Sequence, residues 1–454
     1  MKKYSIILFT ITATILLFSS SGYCQEPNNF ICGWTKETPS MLRKNATLSK
    51  ISTNVPGYYF RTTDTMKILI IYAQFADDYD TTGNQFWPLN QLPSFPIIDS
   101  VAGNNYTPYT LSHFFSQMSN GTLHVIGKTF PFLIKTEEVS SYYIGSEYGS
   151  LNFDVLRIMD SLDYTNNLVN LKEFDKWHMS NLPSGLINEK GPNKFIDMAV
   201  IIYRRIPNYL KTSDSFEWIG KADLGYNYGF DSLLTHDSII ICGNMPLRDN
   251  CPREQGAGIT YKYTGEHPEI LCVRLAHEFS HYLFEGHCDG YGLMGSNAIQ
   301  FGGGETHGYF QSSMSSIERE KLGYMSIEPV SFGTEFSLND YLTTNTAFKV
   351  PTDASGKEYF LLENHQKLSI YDGVGNYDNH RHDNNGKGMY IFHRYQHNSW
   401  SWEKIYPECA DGDEPSEDNK DAWNIGYNQL FSPYSRPDTR LMSDNNSLEK
   451  LLFS

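Results

Sequence analysis

The segment HEFSHYLFEGH, residues 277–287, constrains this chain more than any other stretch of it. Histidines four apart on a helix share a face about one turn apart, so His277 and His281 can aim both rings at one ion, with Glu278 beside it. The chain must then turn. His287 stands ten positions after His277, and a continuous helix would carry it about 15 Å along the axis, out of reach of the same ion. Gly286 is placed to make the turn, because glycine accepts a left-handed backbone without steric penalty. Structural zinc sites are usually closed by four protein ligands and rich in cysteine, whereas three imidazoles leave a position for water. The pattern therefore predicts one catalytic zinc. Met294 follows in GLMGSN, near enough to fold back under the ion, and a soft thioether next to three histidines is expected to pack and not to coordinate.

Other segments point the same way. KILIIYAQFADD, YTLSHFFSQMSNGTLHVIGK, the histidine segment, LMGSN, SSIEREKLGYMS, KEYFLLENHQ and GKGMYIFHR, in that order, resemble the immune inhibitor A family of secreted zinc metallopeptidases, within the metzincins. The resemblance runs from about Lys67 to at least Arg394. It implies an α/β (α+β) metzincin-like catalytic domain with a twisted sheet and a zinc helix, and endopeptidase activity. On this reading His277, His281 and His287 are the metal ligands, Glu278 is the general base, and Met294 forms a structural methionine turn. The chain departs from the family at two positions, carrying Phe284 where the family has glycine and His287 where it often has aspartate. Replacing a carboxylate by neutral imidazole leaves the site one charge more positive, which should acidify bound water further. The displaced glycine predicts a slightly longer helix before the turn.

Two rival readings belong to other classes. A zinc module that had lost catalysis could serve as a surface or glycan-binding protein, but Glu278, the usual casualty of such loss, is present. A zinc hydrolase with a distant carboxylate as third ligand would use Glu305 or Glu318. For the group that stabilises the oxyanion, Tyr291, His307 and Tyr309 stay open.

Composition sets the expected compartment. Lys2 and Lys3 precede an apolar run from Ile6 to Phe18, the order of an export signal over residues 1–24, and that run is too short to span a bilayer. No later stretch is long enough either, so a secreted protein, extracellular or periplasmic, with no transmembrane segment is expected. The formal charge of −16 argues against nucleic acid as a partner. Protein or peptide substrates and a monomeric chain are expected. Of seven cysteines, Cys242 and Cys251 close a short loop and are the expected disulfide. Cys272 and Cys288 are held too far apart by the intervening helix to pair.

Residues 25–65 are polar and poorly patterned, and are expected to form a propeptide or N-terminal extension; its Cys32 could block the zinc, form a disulfide or be buried. Residues 66–330 form the expected catalytic domain and 331–454 a β-rich C-terminal domain. KILIIYAQF, GTLHVIGK, FIDMAVIIYRR and HDSIIICGNM read as strands, and TPYTLSHFFSQMS and Leu151 to Leu162 as helices. The zinc helix should begin near Pro268, whose geometry suits a first helical turn. Two acidic loops, one with Asp372, Asp378, Asp383, His380 and His382 and one from Glu408 to Asp421, are weighed between calcium sites and solvated turns.

Overall fold

The computed structural model describes residues 60–81, 86–180, 187–207, 209–210, 219–225, 229–243, 256–284, 289–290, 292–294, 313–330, 336–352, 358–372, 387–396, 403–408, 441–442 and 448–449. Its first sheet grows from two apolar runs. Strands β1 (Asp64–Gln74) and β2 (Leu123–Thr129) pair in parallel, and β3 (Ile134–Lys135) continues along the far end of β1. A separate hairpin joins β4 (Trp177–Ser180) to β5 (Ile187–Lys190). Strand β6 (Met198–Tyr203) lies parallel to β1, with Leu69 opposite Ala199. After β7 (Gly220–Lys221) and the hairpin β8 (Leu233–Leu234) to β9 (Ile240–Ile241), β10 (Ala257–Lys262) lies parallel to β6. The order is β2-β1-β6-β10-β7, with β7 antiparallel at the edge.

Every residue of β6 is buried, as expected of a central parallel strand covered on both faces. Successive side chains point to opposite faces, so the strands sort two cores. Ile68, Ile70, Tyr72, Val200, Ile202, Ile259 and Tyr261 face helix α1 (Leu111–Met118) and the HExxH helix, while Leu69, Ile71, Ala73, Ala199 and Ile201 face helix α2 (Tyr148–Asn166). The result is a mixed α/β unit of three layers. The HExxH helix, α3, runs from Pro268 to Ser280 with proline in its first turn and Glu269 complementing its positive end.

Strand β10 was not legible in the sequence. AGITYK interrupts its apolar residues with Gly258, Thr260 and Lys262 and so forms no continuous apolar run, yet it supplies the neighbour on which α3 packs. Conversely, HDSIIICGNM yields only the two-residue strand β9, because Cys242 and Gly243 leave the ladder.

A second sheet contains β11 (Asp289–Gly290), β12 (Glu328–Pro329), β13 (Ala347–Pro351), β14 (Tyr359–His365), β15 (Gly388–Gln396) and β16 (Glu403–Glu408). Its order is β11-β16-β15-β14-β13-β12, with β13 to β16 antiparallel. The chain just beyond the histidine segment thus joins the C-terminal sheet. Helix α4 (Ser316–Lys321) puts Ile317 in a core of this second sheet with Leu361 and Phe392, and helix α5 (Tyr341–Thr344) puts Tyr341 and Leu342 in the core that contains α1 and α3. Buried Arg319 of α4 donates to the carbonyls of Met118 (2.9 Å) and Tyr341 (3.0 Å) and to Asn120 Oδ1 (3.1 Å), tying α4 to the end of α1. Tyr371, from the C-terminal region, belongs to the same core cluster as α1 and α3. Among the described residues no helix is long and apolar enough to cross a membrane.

The start of the sheet lies inside the expected extension. Strand β1 opens at Asp64, and Phe60 ahead of it is buried, donating its N–H to the Tyr282 carbonyl at 2.9 Å and packing on the Phe279 and Tyr282 rings. Cys32 and the rest of that segment lie outside the described residues.

Candidate active site

Helix α3 carries His277 and Glu278 in its last turn, and His281 caps its C-terminal end in a right-handed helical conformation. The chain holds further turns through Phe284, whose N–H reaches the Ser280 carbonyl at 2.9 Å. The His277 and His281 rings stand 4.9 Å apart at 88° to each other, and Glu278 Oε2 lies 4.0 Å from His281 Nε2. That separation is too long for a hydrogen bond and suits two groups flanking a common third atom. All three side chains are buried.

The protonation state of His277 follows from its partner. Nδ1 lies 2.7 Å from the Leu293 carbonyl oxygen, which can only accept, so Nδ1 carries the proton and Nε2 presents its lone pair. Burial pushes the His277 pKa down to about 4, opposed by that carbonyl, so the ring is neutral at working pH. A neutral imidazole locked by a backbone carbonyl is the form in which histidine binds zinc. The donor set therefore fits the expected ion as far as His277 and His281.

Glu318 holds the Leu293 segment in place. Its Oε2 accepts the N–H groups of Leu293 (2.9 Å) and Ser315 (2.7 Å), and Oε1 accepts the Met294 N–H (2.7 Å). With Ser315 it also forms the capping box that starts α4. Burial pushes the Glu318 carboxyl up, against the N–H donors of Met294, Ser315 and Leu293. Gly292, at φ 130°, leaves room for this, since a Cβ there would stand 2.6 Å from Glu318 Oε2. Both oxygens of Glu318 are thus engaged by the loop, which weighs against the alternative that makes this residue the third ligand. Met294 itself is buried in the core that contains Leu275, Ala276 and Phe279 of α3.

Two more groups shape the site. A Cβ on Gly220 of β7 would stand 2.4 Å from Glu278 Oε1, so the edge strand passes directly over the glutamate. The hydroxyl of Tyr282 lies 2.6 Å from the Gly258 carbonyl and accepts the Gly258 N–H at 3.1 Å, anchoring the chain after His281 to β10. Neither was legible in the sequence. Glu318 left one readable sign, the Ser315-x-x-Glu318 spacing of a capping box, but that spacing says nothing of Leu293.

His287, Gly286, Tyr291, Glu305, His307 and Tyr309 lie outside the described residues, as do Cys251 and Cys288. Cys242 is buried, its Sγ 2.9 Å from the Asp231 carbonyl. Cys272 is a buried thiol whose pKa burial pushes up, next to the Tyr371 hydroxyl.

Asp372 is neither a solvated turn residue nor placed as a calcium ligand. Its Oδ1 lies 2.6 Å from His365 Nδ1, and Glu363 Oε2 lies 3.1 Å from His365 Nε2. Both partners are carboxylates, so both ring nitrogens donate and the ring is an imidazolium. Burial alone would push His365 down, but the charges and hydrogen bonds of Asp372 and Glu363 hold it up at about 9. Glu363 Oε1 in turn accepts the Ser316 N–H at 2.8 Å, at the start of α4. Asp378, Asp383, His380, His382 and the acidic stretch beyond Glu408 lie outside the described residues.

Compared with protein-family models and with curated proteins, the chain matches none.

Proposed function

We propose that the chain is an exported zinc-dependent endopeptidase, with His277, His281 and His287 as metal ligands and Glu278 as general base. The observation that carries this reading is the buried triad on α3: two imidazoles at right angles, one with its Nε2 lone pair fixed outward by Leu293, and a carboxylate 4.0 Å from the second. Zinc held there would supply Lewis-acid polarisation of the scissile carbonyl and would acidify the attacking water.

Glu278 takes the proton from that water and delivers it to the leaving amine, which needs both positions within reach of one carboxylate. The edge strand β7 supports a peptide substrate in particular. An extended chain laid along that edge gains backbone hydrogen bonds, and Gly220, having no side chain, lets the backbone of this strand lie directly against the Glu278 carboxylate. Burial of Glu278 also keeps bulk water from competing for its proton.

Hydrolysis of casein by the purified protein, with and without a chelator, tests the reading. Activity should vanish with chelator and return with zinc, and Glu278→Ala should lose at least about 100-fold while retaining its metal. Wild-type turnover in Glu278→Ala would overturn the mechanism. Loss of zinc with His287→Ala distinguishes the three-histidine set from a downstream carboxylate.

A further inference from the structure

A second group of metal donors lies on the opposite face of the sheet from α3. The β8–β9 hairpin packs with α2 in the other core, and its turn, with Ser238 at φ 62°, carries His236 and Asp237 to the last turn of that helix. There Asp163 is 1% exposed. Its Oδ1 accepts the N–H groups of Leu168 (2.9 Å) and Val169 (2.8 Å), where the chain leaves α2 through left-handed Asn167. Its Oδ2 is buried with no hydrogen-bond partner. A carboxylate oxygen in that state is costly unless a cation faces it.

What faces it is an oriented imidazole. His236 Nδ1 lies 2.7 Å from Asp160 Oδ1, which also accepts the His236 backbone N–H at 3.1 Å. Because Asp160 is the acceptor, Nδ1 carries a proton and Nε2 is the atom turned inward. Nε2 stands 3.6 Å from Asp163 Oδ2 and 3.8 Å from Asp237 Oδ1. Both separations are too long for a hydrogen bond. They approach the spacing of about 3.4 Å between donors that each lie about 2.1 Å from a tetrahedral ion. The three donor atoms all lie within 4.8 Å of one another. Asp237 is held by its other oxygen, which accepts the Leu171 N–H at 3.3 Å. The carboxylate behind the ring is the arrangement that sets the tautomer of metal-bound histidine.

We propose that Asp163, His236 and Asp237 bind a divalent transition metal ion, with Asp160 as the orienting residue. An imidazole with two carboxylates suits zinc or manganese better than calcium, which prefers oxygen ligands throughout. His236 and Asp237 keep side-chain exposures of 22% and 26%, so solvent can complete the coordination. The site cross-links the end of α2 to the β8–β9 hairpin, and its role is structural.

Zinc titration of the chelator-stripped full chain against a chromophoric competitor tests this. Wild type should take up two equivalents, and His236→Gln and Asp237→Asn each one fewer, with casein hydrolysis by these variants retained. The His277→Ala variant should still take up the equivalent assigned here, and zinc should raise its thermal midpoint by several degrees, a shift lost in His277→Ala/His236→Gln. The same stoichiometry for His236→Gln as for wild type overturns the proposal, as does a single equivalent that disappears with His277→Ala. A single equivalent that survives His277→Ala and is lost with His236→Gln upholds this site while overturning the peptidase reading.

Discussion

His277 donates its Nδ1 proton to the carbonyl oxygen of Leu293 at 2.7 Å, and this bond links the helix bearing the histidines to a loop sixteen residues further along the chain. The N–H of the same Leu293 is held by Glu318 at 2.9 Å, so one peptide segment connects a carboxylate on α4 to the orientation of His277. Ser316, next to the cap of α4, is held in turn by Glu363 of the C-terminal sheet. A path of hydrogen bonds joined by short backbone links runs from β14 to His277.

On the proposed function, breaking that path should loosen the metal. Glu318→Ala leaves the N–H groups of Leu293, Met294 and Ser315 buried without their acceptor, at about 1 to 3 kcal/mol each if none finds a new partner. Zinc affinity, read by chelator competition, should fall roughly 10- to 100-fold, as expected when the partner that orients a ligand is disturbed. Glu318→Gln, which keeps the shape but turns one acceptor into a donor, should fall between the two. Wild-type affinity in a folded Glu318→Ala protein would show that the loop holds its place without the carboxylate.

Gly220→Ala tests the approach of β7 to the glutamate. The added methyl carbon would lie 2.4 Å from Glu278 Oε1 and 2.8 Å from its Cγ and Cδ, so either the strand or the carboxylate must move. The expected result is a fall in kcat of about 10-fold or more at unchanged zinc content, since a displacement near 1 Å in a catalytic group can cost about 100-fold. Unaltered kcat would mean that the edge strand yields freely.

The His365 ion pair predicts a pH dependence of stability. Its pKa, about 9 in the folded protein against an ordinary value near 6.5, is raised, so the stabilisation is fully present below about pH 6.5 and is lost as pH rises through about 9. The thermal midpoint should therefore fall between about pH 6.5 and 10. His365→Gln should lower the midpoint at neutral pH, because Glu363 and Asp372 then lie buried without their cation, and should flatten this alkaline decline. An equally steep decline in the variant would assign it to another group.

Met294→Leu should bind zinc at the normal stoichiometry with a slightly lower thermal midpoint. The residue is 1% exposed within the core around α3, and a volume-conserving exchange there costs under about 1.5 kcal/mol. Its backbone N–H, the group that Glu318 holds, is untouched by the exchange. Loss of the metal from folded protein would make Met294 a ligand.

The HExxH helix was legible because its information is local. Pro268 sets where it starts, a spacing of four places His277 and His281 on one face, and no distant residue is needed for either. The runs that became β1, β6 and β14 were legible for a similar reason, since an apolar segment of strand length has few ways to leave water. Short elements carry too little pattern to be read this way. β7 has two residues, and β10, though as long as β6, breaks its apolar residues with Gly258, Thr260 and Lys262, so only the sheet into which they fit gives them their identity.

Side-chain partners depended on tertiary structure throughout. Asp372 in a polar loop reads as solvated until the fold places His365 against it, and Glu318 reads as one carboxylate among many until Leu293 and Met294 turn their N–H groups toward it. Asp163 and His236 are separated by more than seventy positions, and no periodicity joins them. The sequence by itself determined which residues share a helix face and which runs must be buried, because those follow from the repeat of the backbone. Tertiary structure alone decided which buried polar atom meets which, because that depends on how distant segments pack and on the cost of leaving any such atom unmatched.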